Sequence, residues 1–140
     1  MSNPQVLVVD DEADIRALIQ EILSEEGYGV TVAADAEEAR SARRGDNFDL
    51  ILLDIWMPDT DGITLLREWS DAGDLKCPVV IMSGHGTVDT AVEATRLGAH
   101  DFVEKPLSLA KLLRTVEGAL ESAGRHATTG RGTLPPLLAP

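Results

Sequence analysis

Phe48-Asp49-Leu50-Ile51-Leu52-Leu53-Asp54 is a nearly unbroken apolar run that stops on an acid, and Met57-Pro58-Asp59-Thr60-Asp61-Gly62 follows it. A short continuous apolar stretch bounded by turn residues suits a strand buried on both faces. Three other runs end on polar residues: Val6-Leu7-Val8-Val9 on Asp10-Asp11-Glu12, Val79-Val80-Ile81-Met82 on Ser83-Gly84, and Asp101-Phe102-Val103-Glu104 on Lys105-Pro106. Val30-Thr31-Val32 reads as a fifth strand.

Helical spacing fills the intervals. Ile15, Leu18, Ile19, Ile22 and Leu23 mark one buried face, closed by Gly27. Asp35 is placed to cap a helix from Ala36 to about Arg44, and Ile63 to Trp69 forms the next. Val88 to Leu97 offers only Val88, Ala91, Val92 and Thr95 to a core and should be the least firmly docked helix. The last helix turns Leu109, Leu112, Leu113, Val116 and Leu120 inward, with Lys111, Arg114, Glu117 and Glu121 toward solvent. Five strand-helix repeats with short connections predict an α/β fold, a doubly wound parallel sheet with helices on both faces. Ligands of such sheets bind beyond the carboxyl ends of the strands, where the polar residues stand.

A chain of 140 residues has room for one folded domain. No apolar stretch approaches the ~18 residues of a membrane span, and Met1-Ser2-Asn3-Pro4 lacks the pattern of a secretory signal, so a cytoplasmic location is expected. The single cysteine, Cys77, reads as packing ahead of a strand. Net charge is −12, and up to Glu121 ten basic residues face twenty-four acidic ones, a balance of −14. That excludes direct nucleic-acid binding by this segment, which needs cationic contacts to phosphate; a cationic or metal-bearing partner fits better. From Ala123 onward Gly, Thr and Pro dominate, the composition of a linker.

If the strands are parallel neighbours, Asp10, Asp11, Asp54, Ser83 and Lys105 converge at one sheet edge. Each acid pair at ~4 Å costs about 1 kcal/mol in water and roughly 4 at an effective dielectric near 20. A hard divalent cation, Mg2+, would relieve that repulsion. Lys105 adds a positive charge suited to phosphate and Ser83 a hydroxyl donor. A metal, an ammonium and a hydroxyl around one carboxylate are what phosphoryl transfer to it requires, with Asp54 as nucleophile. Taken singly, Asp10 or Asp11 could equally be a solvated loop acid or a cap, and Glu12 reads as the start of the first helix. Trp69 reads as packing on its helix, Phe102 as a core aromatic and His85 as an exposed loop residue.

The doublet Asp10-Asp11, Asp54 with Met57-Pro58 and Asp61-Gly62, Ser83-Gly84 and Lys105-Pro106 together resemble the receiver domain of two-component response regulators, the CheY-like family. The resemblance runs from about Gln5 to Ala123. It implies a flavodoxin-like (βα)5 fold with five parallel strands in the order 2-1-3-4-5, residues 1–123 as receiver, and 124–140 as a Gly/Pro-rich linker to an output domain. It implies that Asp54 accepts a phosphoryl group from a sensor histidine kinase, and that Asp11 and Asp54 bind Mg2+ directly, Asp10 through water and Trp56 through its backbone carbonyl. Ser83 and Lys105 would contact the phosphoryl oxygens, and Lys105-Pro106 would be a cis bond. Ser83 and Phe102 would form the switch, Phe102 standing where the family commonly has Tyr. Trp56 and His85 would modulate hydrolysis of the acyl phosphate.

Leu53-Asp54-Ile55-Trp56-Met57-Pro58 and Ser83-Gly84-His85-Gly86-Thr87 are similar to receivers of the NtrC and NtrX type, which precede an ATPase domain and a DNA-binding helix-turn-helix. Such a protein is a phosphorylation switch controlling transcription, limited to self-phosphorylation and autodephosphorylation rather than turnover of substrate. It would form a phosphorylation-dependent homodimer through the fourth helix, fifth strand and fifth helix. Two rivals stand beside this reading. A phosphatase or phosphotransferase of the haloacid dehalogenase type also forms an aspartyl phosphate, but carries a second Asp where this chain has Trp56. A nonphosphorylated binding module of the same fold would not need all five site residues.

Overall fold

The computed structural model describes residues 3–57, 59–73, 77–84 and 88–122. Strands form where β-branched residues and leucines run together: β1 Gln5–Val9, β2 Gly29–Ala33, β3 Leu50–Asp54, β4 Val79–Ser83 and β5 Asp101–Glu104. Each is followed by a helix: α1 Ala13–Glu25, α2 Ala36–Gly45, α3 Gly62–Asp71, α4 Val88–Arg96 and α5 Leu109–Ser122. The strands make one parallel sheet in the order β2-β1-β3-β4-β5, the expected flavodoxin-like arrangement. Register aligns Val9 with Leu53, Asp54 with Met82 and Ser83 with Glu104, so the carboxyl ends of β1, β3, β4 and β5 finish at nearly the same level.

Alternation of side chains divides the core into two layers. On one face Leu7, Val9, Ile51, Leu53 and Ile81 pack against Ala36 and Ala39 of α2, Leu65, Leu66 and Trp69 of α3, and Ala94 of α4. On the other, Val6, Val8, Leu50, Leu52, Val80 and Met82 meet Ile19 and Leu23 of α1 and Leu112, Val116 and Leu120 of α5. β3 is buried along its whole length, which is why its sequence reads as an unbroken apolar run. Truncating one of its leucines to Ala would remove about 2–5 kcal/mol. Cys77 packs against the first layer as expected, and Trp69 also carries the Arg43 guanidinium 4.5 Å over its ring.

Local signals in the chain set the helix ends. Asp35 caps α2 by accepting from the Glu38 amide at 2.8 Å, while the Glu38 carboxylate accepts from the Ala34 amide at 2.8 Å, a reciprocal pair. Asp61 caps α3 through the Thr64 amide at 2.7 Å. Gly27 ends α1 with φ 93°, a left-handed conformation that glycine adopts without penalty, and the Tyr28 amide then reaches back to the Leu23 carbonyl.

Four inward assignments from helical spacing are corrected. Leu18 of α1 is 39% exposed and Leu109 of α5 is 48% exposed. Val92 of α4 is 44% exposed, Thr95 is exposed too, and it is Ala94 and Leu97 that reach the core. An apolar stripe is wider than the strip of helix that actually meets the sheet, and a small alanine contributes contact without standing out in the pattern. The side chains of residues 88–91 and the expected linker, residues 124–140, lie outside the described residues. Among the described residues no helix is long and apolar enough to cross a membrane.

Candidate functional site

β1 and β3 deliver the acids. Continuing the alternation of Val6 and Val8, and of Leu50 and Leu52, turns Asp10 and Asp54 toward the α1–α5 side of the sheet edge. Asp10 is fully buried and Asp54 nearly so, whereas Asp11 is exposed. One carboxylate oxygen from each of the three lies within 4.8 Å of the others.

β5 brings the countercharge. Lys105 Nζ stands 2.8 Å from Asp10 Oδ2, 3.2 Å from Glu12 Oε1 and 3.4 Å from Asp54 Oδ1. The Lys105 amide donates to the Ser83 carbonyl at 2.7 Å, extending the β4–β5 ladder to the site, and the Lys105–Pro106 peptide bond is cis. Asp10 Oδ1 accepts from the Glu12 amide at 2.9 Å, its buried Oδ2 has the ion pair with Lys105 but no hydrogen-bond geometry among the described residues, and Arg16 ties the same loop down through the Asp10 carbonyl at 2.8 Å. A cleft of about 400 Å³ opens over these groups, lined by Asp11, Glu12, Asp54, Trp56, Met57, Gly84 and Lys105.

Charge crowding leaves a mark on Asp54. Burial, then the neighbouring charge of Asp10, push its carboxyl up to about 7, with Lys105 pulling the other way. For Lys105 burial alone would lower the ammonium, but its contacts with Asp10, Asp54 and Glu12 outweigh that and hold it above the ordinary lysine value. Among the described residues four acids, Asp10, Asp11, Glu12 and Asp54, against one half-buried ammonium leave the pocket short of positive charge. Its all-oxygen donor set suits a hard divalent cation rather than a soft one.

The loop after β3 is held from several sides. A Cβ at Gly62 would lie 2.2 Å from the Asp54 carbonyl oxygen, so only glycine lets α3 start so close to the phosphoacceptor candidate. Trp56 and Asp61 pair across the loop, and the Trp56 side chain stands 58% exposed beside the cleft. Asp59 crosses to α2 and accepts from the amides of Ala36 at 3.1 Å and Glu37 at 3.2 Å. Together with Asp35 it covers the first turn of that helix.

Ser83 ends β4 on the other face, continuing Val79 and Ile81, and its buried Oγ has no hydrogen-bond partner among the described residues. Phe102 is half-buried in that same layer. Of the residues picked out in the sequence, Asp10, Asp11, Asp54 and Lys105 are thus brought together, Trp56 lines the same cleft from the loop after β3, Ser83 ends the neighbouring strand β4 facing the other layer, and His85 lies outside the described residues. Sequence reasoning missed the contact of Glu12 with Lys105 and the reach of Asp59 to α2. Both join positions far apart in the chain and leave no local signal.

The model of the response regulator receiver domain matches residues 6–117, and the chain belongs to that family. Within it, the chain is 42% identical over 123 residues to the nitrogen assimilation regulatory protein NtrX of Azorhizobium caulinodans, covering 84% of this chain and 26% of that protein. It is 40% identical over 118 residues to the transcriptional regulatory protein FixJ of Bradyrhizobium diazoefficiens, covering 84% of this chain and 57% of that one. The crystal structure of the receiver domain of NtrX from Brucella abortus superposes with a TM-score of 0.79 at 45% identity, covering 84% of this chain and 98% of that one. The chain therefore spans about a quarter of the length of its NtrX relative, and corresponds to the receiver portion.

Proposed function

We propose that this domain is a phosphoacceptor switch: Asp54 takes a phosphoryl group from a sensor histidine kinase, in an Mg2+-dependent step, and the altered surface controls an output domain and through it transcription. The observation that carries the reading is the Lys105 ammonium set against Asp10 and Asp54 at a cleft into which Asp11 and Asp54 also open. Asp11 and Asp54 would hold the cation, with the Trp56 carbonyl as a further ligand. Asp10, with Oδ1 held by the Glu12 amide and Oδ2 paired with the Lys105 ammonium, would act through water. When bound, Mg2+ neutralises charge on the oxygens of the transferring group.

The chain's own residues do the rest. An Asp54 carboxylate oxygen attacks phosphorus, a new O–P bond forms as the P–N bond to the kinase imidazole breaks, and the imidazole leaves with the electron pair. The Lys105 ammonium meets one phosphoryl oxygen. The Ser83 hydroxyl, without a hydrogen-bond partner among the described residues, donates to another, and its movement opens space for the half-buried Phe102 in the same layer. Trp56, exposed at the cleft rim, and His85 set how readily water reaches the acyl phosphate.

Exposed Val92 on α4 and Leu109 on α5, the helices before and after β5 in the chain, give a phosphorylation-dependent homodimer apolar contacts. Sedimentation should find dimers in the phosphorylated protein; monomers in both states would remove this part. The domain turns over no substrate beyond its own acyl phosphate. Incubated with Mg2+ and acetyl phosphate, the intact protein should gain the mass of one phosphoryl group and Asp54→Asn none. Sustained turnover of many phosphomonoesters would instead identify an aspartate-nucleophile phosphatase.

A further inference from the structure

We propose that Glu12 is a positioning residue for phosphorylation: it holds the Lys105 ammonium at the cleft mouth and competes with the incoming phosphoryl group for it. This rests on the reading of Asp54 as acceptor. Glu12 occupies the N-cap position of α1, yet its side chain makes no capping hydrogen bond with that helix. The carboxylate turns instead toward Lys105 Nζ, 3.2 Å away, and lines the cleft.

An ammonium has three N–H donors, and here three carboxylates lie around it, at 2.8 Å from Asp10, 3.2 Å from Glu12 and 3.4 Å from Asp54. Of the three, the Glu12 contact is the one with hydrogen-bond geometry, and turning Nζ toward a phosphoryl oxygen on Asp54 draws it away from Glu12. Asp10 is fully buried and at the shortest distance, and Asp54 is the group being modified. Glu12 is solvent-exposed and is the partner most easily exchanged. Its negative charge on the rim also repels an anionic donor. Both effects have the same sign, so Glu12 slows phosphoryl entry and weakens retention of a phosphate-like anion. The geometry accounts for a change of about three- to tenfold at low salt, fading as ionic strength rises.

The test compares wild type, Glu12→Gln and Glu12→Asp with acetyl phosphate and Mg2+, following intact mass across an ionic-strength series. In the reaction the Asp54 O–P bond forms as the P–O bond to acetate breaks and acetate departs with the electron pair. Glu12→Gln should react about three- to tenfold faster at low salt, with the gain shrinking in high salt, and should bind fluoroberyllate more tightly as read by Trp56 emission. Glu12→Asp, which keeps the charge but shortens the reach to Lys105, should fall between wild type and Glu12→Gln. In the metal-free protein the Lys105 ε-methylene NMR signals should move in Glu12→Gln, which a mere helix-start role does not require. A Glu12→Gln rate equal to or below wild type, or unmoved ε-methylene signals, overturns the proposal. A wild type that gains no phosphoryl group on Asp54 overturns the reading beneath it instead.

Discussion

Replacing Asp54 by Asn should stabilise the metal-free protein, and the size of the effect should depend on pH. The carboxyl is raised from the ordinary 3.8 to about 7, chiefly by burial. A group whose folded value stands above its unfolded one penalises folding once it ionises. The penalty is absent below about pH 4, grows as pH rises, and is complete above about pH 7. At about 1.4 kcal/mol for each pH unit the ceiling is about 4 kcal/mol, and water at the cleft mouth brings the expected gain to roughly 2–3 kcal/mol. Asn keeps the shape and removes the charge. Urea unfolding of both proteins in EDTA at a series of pH values reads the difference directly. Near pH 4 the two curves should nearly coincide, and at pH 8 the variant should unfold at clearly higher urea. Adding Mg2+ should narrow the gap, because the cation stabilises the folded wild type. An Asn variant no more stable than wild type at pH 8, or a gap that does not widen with pH, would mean that the buried Asp54 carboxylate does not destabilise the fold.

Two substitutions probe the loop that frames the site. Gly62→Ala places a Cβ 2.2 Å from the Asp54 carbonyl oxygen, where the backbone has no room to yield; denaturation should show a loss of about 1–3 kcal/mol, and phosphorylation should slow because the loop must shift. Equal stability would mean that the close approach is not needed. Asp59→Ala removes the acceptor for the Ala36 and Glu37 amides and should lower stability by about 0.5–2 kcal/mol, with faster hydrogen exchange at those two amides. Asp59→Asn should retain most of it, and unchanged exchange in the Ala variant would count against the cap.

How far the chain could be read depended on the range of each interaction. The strands announced themselves because burial on both faces demands runs such as Leu50 to Leu53, and the site residues stood out because they interrupt those runs at the end where ligands bind. The Asp35 cap was legible too, since its signal lies within four residues. Helix facing was less so: Leu18, Val92 and Leu109 lie at helical spacing yet are exposed, because periodicity gives a stripe but not where the sheet ends beneath it. Ala94 was overlooked for its size. Glu12 with Lys105 and Asp59 with α2 are tertiary contacts, and no local pattern encodes them.

The destination of the phosphoryl group is what defines this domain. Treating the acetyl phosphate product with borohydride converts an aspartyl phosphate to homoserine, and peptide mapping then locates it. The expected result is homoserine at position 54 alone, dependent on Mg2+. Homoserine at another acid, or none with Asp54 still intact, would contradict the claim that these strand ends build a phosphoacceptor site.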